Sequence, residues 1–152
     1  MVTVPGDEID VLAKAKRAIS SDYVPNDGEP YMCEAQADYF RRLLLEWKKS
    51  IMSAAADTLQ NLQDGPIREP DLNDRASSET DWGIELRTRD RQRKLIAKIE
   101  SALRRIEEGE YGYCEVTGEP IGLGRLSARP IATMTVEAQE AHERREKISR
   151  DD

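Results

Sequence analysis

A chain of 152 residues with 35% charged and 5% aromatic side chains has a poor supply for one compact core and suits long helices that bury a narrow stripe. Its formal net charge of -7 argues against general affinity for nucleic-acid backbones or anionic membranes, where binding comes from neutralising phosphates, and favours a protein partner. No apolar run approaches the ~20 residues that span a bilayer, and "MVTVPGDEIDVLAKAKRA" lacks the basic region and apolar block of a signal peptide, so a cytoplasmic location is expected.

In chain order, Ile9, Leu12, Ala15, Lys16 and Ile19 space a short amphipathic helix. A breaker-rich loop, "SSDYVPNDGEPYM", follows. Residues 1–33 are thus expected to form one helix and a loop that pack on a globular base, because one short helix cannot make a core. From Glu34 to about Gln63 there is no Pro or Gly, and Phe40, Leu44, Trp47, Ile51, Ala54 and Leu62 fall mostly three or four apart, which predicts a long amphipathic helix of ~45 Å. Gly65, Pro66 and Pro70 break it, and a second helix is expected from roughly Ala76 to Glu108, with Ile96, Ile99, Leu103 and Ile106 as its seam. Two such helices joined by one tight loop predict an antiparallel coiled-coil hairpin over 34–108, its tip near 64–76. Around Arg89 and Arg93 the seam turns polar, as if the stems of these side chains cover it while their heads reach water.

The hairpin tip collects Asp64, Glu69, Asp71, Asp74, Glu79 and Asp81 against Arg68 and Arg75. Two readings stand side by side. Asp is a common loop residue and Asp74 could cap the second helix, or the stalk delivers carboxylates into a deep site on a partner. On the second helix Arg87, Arg91, Lys94 and Lys98 share one face, either a solvated flank or an interface.

After Gly109 the chain becomes "YGYCEVTGEPIGLGRLSARPIA", a turn-rich knuckle over 109–134, followed by a charged C-terminal helix over 135–152. Cys114 opens what reads like a zinc knuckle, but Thr117 stands where a second thiolate would fall, and a second knuckle reads Thr135 and Ala138. Zinc needs four soft or borderline ligands, so no metal or other cofactor is expected. Ile121, Leu123, Leu126, Ile131 and Met134 are candidates for a small core here, with hydroxyl hydrogen bonds from Thr117 and Thr135 and a helix cap at Thr135. Cys33 and Cys114 are expected as free thiols. Cys114 is either a buried structural thiol or a redox-sensing one.

"YMCEAQADYFRRLLLEWK", "DLNDRASSETDWGIELRTRDRQRKLIAKIESALRRIEEGEYGYCEVTGEPIGLGRLSARP" and the final charged helix resemble the DksA family of bacterial transcription factors, from Tyr31 onward. The resemblance implies an all-α protein, a coiled coil on a small base with a degenerate zinc finger, that binds RNA polymerase without binding DNA and performs no chemistry. It implies insertion of the hairpin into the polymerase secondary channel, where the tip pattern Asp71, Asp74 and Ala76 destabilises open complexes, negatively at stable-RNA promoters and positively at others. By the same resemblance Arg91 contacts polymerase, with Arg87 and Lys94 beside it. Leu95, Lys98 and Arg129 would meet the stringent-response effector guanosine tetraphosphate (ppGpp), and Gln139 stands where the family places a lysine. The protein is expected to act as a monomer. Alternatives of other classes are a Gre-like transcript-cleavage or elongation factor and a structural adaptor hairpin.

Overall fold

The protein is described by a computed structural model over residues 8–19, 22–63 and 72–151, with the side chains of 8, 9, 58–63, 72–79 and 151 also outside the described set. Among the described residues five helices follow one another: α1 (Glu8–Ala18), α2 (Glu34–Gln63), α3 (Leu72–Glu108), α4 (Leu123–Ala128) and α5 (Val136–Asp151). Among the described residues the only extended pairing is an isolated bridge between Tyr113 and Pro120, and the fold is all-α. No helix among the described residues is long and apolar enough to cross a membrane.

The chain divides into two compact units. The first holds Met1–Ser20 and Leu45–Ile99, the second Ser21–Leu44 and Glu100–Asp152, so α2 and α3 contribute to both. This differs from an N-terminal segment that packs on the base as one piece. α1 groups with the middle of α2 and α3, whereas the loop from residue 22 groups with the knuckle. The physical reason is where each can bury its apolar atoms. α1 hides Val11, Leu12 and Ala15 in the first unit, and the loop is bonded to the second.

In the first unit Trp47 and Ile51 of α2 and Ile99 of α3 are buried with the α1 residues. One heptad before Ile99 the seam reaches Gln92, which is 7% exposed and has a side-chain oxygen without a partner. The buried polar residue of the seam is therefore Gln92, with Arg89 only half-buried. Arg93 reaches outward to Asp90 at 2.6 Å, its side chain 81% exposed, and Lys94 joins the same carboxylate at 3.0 Å. The indole N–H of Trp47 is likewise buried and unpaired. α3 also begins at Leu72, earlier than the expected Ala76.

In the second unit α2 and α3 run side by side in opposite directions. Arg41 bridges Asp38 at 2.8 Å and Glu107 at 3.2 Å, and the Phe40 ring lies 5.6 Å from that of Tyr111. Phe40, Leu43 and Leu44 are fully buried here, worth about 1.5 to 3 kcal/mol each. α2 starts with Cys33 as N-cap, its carbonyl accepting the Ala37 N–H at 2.9 Å. Gln36, buried in the first turn, accepts the Met32 N–H at 2.8 Å and donates to the Asn26 carbonyl at 3.0 Å. It thereby ties the incoming loop to the helix in the manner of a capping box.

A buried carbonyl left unpaired costs about 1 to 3 kcal/mol. Gln92→Leu should therefore raise unfolding free energy by about 1 kcal/mol or more in urea titrations, since it removes that group and fills the same volume. A decrease would mean that Gln92 supports the fold.

Candidate functional site

α3 ends in a Schellman turn: Gly109 is left-handed (φ 74), and the Glu110 N–H returns to the Arg105 carbonyl at 2.9 Å. Arg105 then reaches forward, its guanidinium donating to the carbonyls of Glu110 at 3.2 Å and Tyr113 at 2.8 Å. The knuckle that follows is a tight loop. The Cys114 N–H donates to Glu119 O at 2.8 Å, the Gly118 N–H to Cys114 O at 2.9 Å, and the Ile121 N–H to Gly112 O at 2.8 Å. The Glu115 N–H donates to Thr133 O at 2.9 Å, which brings the far end of the segment alongside.

One side chain from outside the knuckle spans it. The Tyr31 hydroxyl donates to Gly112 O at 2.6 Å and accepts the Gly122 N–H at 3.0 Å, so both strands of the loop are held by one oxygen. Its ring packs edge-on to Tyr113 at 5.5 Å, and burial pushes its own ionisation upward. Gly112 has to be glycine twice over. Its φ is 91, and a Cβ there would lie 2.6 Å from Met32 Cε and 3.1 Å from the Tyr31 hydroxyl. A second phenol, Tyr111, is 2% exposed and donates to Pro130 O at 2.8 Å. Arg125 donates to Met134 O at 2.9 Å. Of the expected core, Ile121, Leu126 and Ile131 are buried, while Leu123 and Met134 are only half-buried. Tyr111, Pro130 and Ala132 join them.

The four zinc-finger positions do come together. Cys114 is 3% exposed. Burial raises its thiol pKa, but the Thr117 hydroxyl and the backbone N–H groups of Thr117, Thr135 and Val116 all favour the thiolate and bring it down to about 6. Thr117 also accepts the Glu119 N–H at 3.2 Å. Thr135 caps α5, its hydroxyl accepting the Ala138 N–H at 3.2 Å, and Ala138 is buried. One sulfur, two hydroxyls already engaged with the backbone and a methyl group do not fit a tetrahedral zinc site. Among the described residues no group of three or more His, Cys, Asp or Glu converges to hold a metal ion, and His142 pairs with Glu146 at 3.1 Å on exposed α5.

The remaining candidates fall in both units. Arg87, Arg91, Lys94 and Lys98 are all exposed on α3 of the first unit, with Leu95 half-buried beside them. Arg91 touches the Thr88 hydroxyl at 3.4 Å. Arg129 and Gln139 belong to the second unit. The Arg129 backbone is fixed at both ends, its N–H on Arg125 O at 2.7 Å and its carbonyl accepting the Ala132 N–H at 3.0 Å. The Gln139 amide donates to Glu143 at 3.0 Å. Asp71 lies outside the described residues, and Asp74 and Ala76 fall within the first turns of α3 with side chains outside them. The clasp formed by Tyr31, Tyr111, Arg105 and Arg125 escapes a reading by periodicity, because each acts through one polar tip on a distant carbonyl or amide. A tyrosine flanked by turn residues is the one faint signal.

Two family descriptions match. "DnaK suppressor protein DksA, N-terminal domain" covers residues 36–106, and "Prokaryotic dksA/traR C4-type zinc finger" covers 109–144. The chain belongs to the DksA family. It is 61% identical over 132 residues to the RNA polymerase-binding transcription factor DksA of Caulobacter vibrioides, spanning 87% of this chain and 93% of that one. It is 43% identical over 125 residues to the factor of the same name from Escherichia coli, with 82% and 83% covered. Among solved structures it is similar to the transcription factor DksA2 from Pseudomonas aeruginosa, with a TM-score of 0.72, 38% identity, and 93% and 99% of the two chains covered. This DksA-family chain thus matches a C4-type finger while keeping one cysteine of the four.

Two measurements test the knuckle. Tyr31→Phe removes a hydroxyl that serves two backbone groups and should cost about 1 to 3 kcal/mol in stability. Gly112→Ala should cost at least as much through strain and overlap. The Cys114 thiol should titrate with a midpoint of about 6 by thiolate absorbance, and Thr117→Ala should move it upward. Because an unfolded thiol ionises near ~8.5, the folded state binds fewer protons between these values. Stability from this group is complete above ~8.5 and is lost as pH falls through about 6. Cys114→Ala should flatten that slope.

Proposed function

We propose that this protein binds bacterial RNA polymerase through its α2–α3 hairpin and modulates transcription initiation together with ppGpp, with no requirement for zinc. The observation that carries the reading is the extent of identity to curated RNA polymerase-binding factors, which runs through both units and not through one module alone. The exposed cation row on α3 supports it: in a chain of net charge -7, Arg87, Arg91, Lys94 and Lys98 make one face suited to an acidic protein surface. The protein acts by binding and not by catalysis. Asp71 and Asp74 at the tip would work inside the secondary channel, with the small Ala76 beside them. Differential affinity of ~1 to 3 kcal/mol for two polymerase states is enough to change complex lifetimes about 5- to 150-fold.

For ppGpp, Lys98 and Arg129 supply the cations, the arginine able to fork onto two phosphate oxygens, and Leu95 an apolar contact. Gln139 offers an amide where a cation would be stronger, so the effector response is weaker than with lysine there. The protein acts as a monomer, without direct contact to DNA. Zinc independence is supported by the donor set at Cys114, Thr117, Thr135 and Ala138, and by the hydrogen-bond clasp that does mechanical work a metal would otherwise do.

Asp74→Asn should abolish the effect on a sensitive promoter in a reconstituted initiation assay while polymerase binding stays within about twofold; an unchanged promoter response sinks the mechanism. Protein purified without a tag should contain well under ~0.1 zinc per chain by elemental analysis, and its melting should be indifferent to chelators. Near-stoichiometric zinc overturns that part. Gln139→Lys should strengthen the ppGpp response.

A further inference from the structure

The long helix α3 contains one glycine, Gly83, and α2 contains none. A glycine inside a helix weakens it, because the free chain has more conformations to give up and the backbone lies open to water. Such a glycine ordinarily marks a place where another group must come close. Gly83 marks no such place. A Cβ built on it would meet only the Arg87 Nη2 atom at 3.8 Å, an ordinary contact with the end of a flexible side chain. Packing gives no reason for the glycine, so what it supplies is freedom of the backbone.

Two further features converge on the same turn. The Thr88 hydroxyl donates to the Ile84 carbonyl, one turn back, at 3.0 Å. That oxygen belongs to the helical ladder, and a hydroxyl that competes for it slightly weakens the ladder and bends helices. The other feature is missing tertiary support. From Thr80 to Arg91 no residue is buried, and Trp82, Ile84 and Leu86 stay 42%, 49% and 55% exposed. Thr80, Asp81, Trp82, Ile84 and Thr88 are also weak helix formers. Inward of this stretch the picture reverses. Gln92 and Ile99 are buried, and Asp90 pairs with Arg93 at 2.6 Å and Lys94 at 3.0 Å, ties across one turn that stiffen the helix. Helices in proteins are held mainly by packing of one face, and the turn from Gly83 to Thr88 has neither packing nor propensity to hold it. We infer that Gly83–Thr88 is a joint in α3, at which the outer part of the helix, carrying Asp74 and Ala76, turns relative to the stalk from Asp90 inward. The Thr88 hydroxyl keeps the Ile84 carbonyl bonded when the ladder bond lengthens, so bending leaves no orphan acceptor. The use of the joint rests on the polymerase reading above: with the stalk seated, it lets the tip carboxylates follow a target that differs between two polymerase states.

The free full-length protein tests the joint first. In hydrogen exchange read by mass spectrometry, amides from Ile84 to Arg91 should exchange about tenfold or more faster than those from Gln92 to Ile99. Gly83→Ala, whose Cβ has room, should slow the outer set roughly fivefold, the factor by which the two residues differ in helix propensity. In the reconstituted initiation assay the same variant should lose severalfold in promoter effect at saturating protein, while its affinity for purified RNA polymerase stays within about twofold of the unmodified chain. Outer amides as protected as the inner ones, or unmoved by Gly83→Ala, overturn the joint whatever polymerase does. A promoter effect unchanged in a variant whose exchange has slowed overturns the use assigned to it. Failure of the unmodified protein to bind polymerase would instead overturn the underlying reading, and the exchange measurement, made without polymerase, keeps the two apart.

Discussion

A single phenolic oxygen sets the terms for the second unit. Residues 109–134 are rich in turns, and the apolar residues that bury there are few. Such a segment ordinarily needs a metal, because coordination energy is its folding energy. Here Tyr31 takes one carbonyl and one amide from the two sides of the loop, and Tyr111, Arg105 and Arg125 each take further carbonyls. These bonds cross-link backbone to backbone through side chains, which is mechanically what a four-ligand metal does. They differ from it in being distributed. Each contributes about 0.5 to 1.5 kcal/mol, so the knuckle is held by many modest ties and depends on packing to keep them aligned.

That dependence explains why the N-terminal loop cannot be separated from the knuckle. Tyr31 is useful only if Met32 and Gln36 fix its backbone. Met32 adopts φ 56, a rare conformation outside glycine, and the fully buried Gln36 accepts its N–H while donating to the Asn26 carbonyl. Gly112 is the counterpart on the other side, the one residue small enough to let Met32 and Tyr31 approach. The strain in one turn and the absent side chain in the other belong to the same contact.

Much of this architecture is legible in the sequence. The breakers around Gly65 and Gly109 bound α2 and α3, and the three-four spacing that names Phe40, Leu44, Trp47, Ile51, Ile99 and Ile106 finds residues that are in fact buried. The cap at Thr135 is legible because a hydroxyl at the start of a predicted helix has a local mechanism. What periodicity misses is whatever acts at long range. It gives no reason for α1 to leave the loop and join the other unit. It assigns the polar break of the seam to Arg89 and Arg93, when the shorter Gln92 occupies the buried position, Arg89 is half-buried and Arg93 turns to Asp90 and solvent. It cannot foresee Tyr31, whose partners are 81 and 91 residues away. The cation row is the converse case: spacing places Arg87, Arg91, Lys94 and Lys98 on one exposed face, yet spacing alone names no partner for it.

The Cys114 thiol couples the knuckle to the helix that follows it. Backbone N–H groups of Val116, Thr117 and Thr135 surround the sulfur and favour its thiolate form, an arrangement suited to a ligating thiolate. With one sulfur remaining, those amides stabilise the anion themselves, and Thr117 adds its hydroxyl. The same Thr135 that donates there caps α5, so the helix carrying Gln139 is registered against the turn carrying Cys114. Arg129 is registered independently, by its own backbone bonds to Arg125 and Ala132 and by the Tyr111 bond to the next residue, Pro130. Two separate sets of hydrogen bonds therefore hold the backbone at Arg129 and at the helix carrying Gln139. A change at Cys114 can therefore reach α5 through Thr135 while leaving the Arg129 turn where it is.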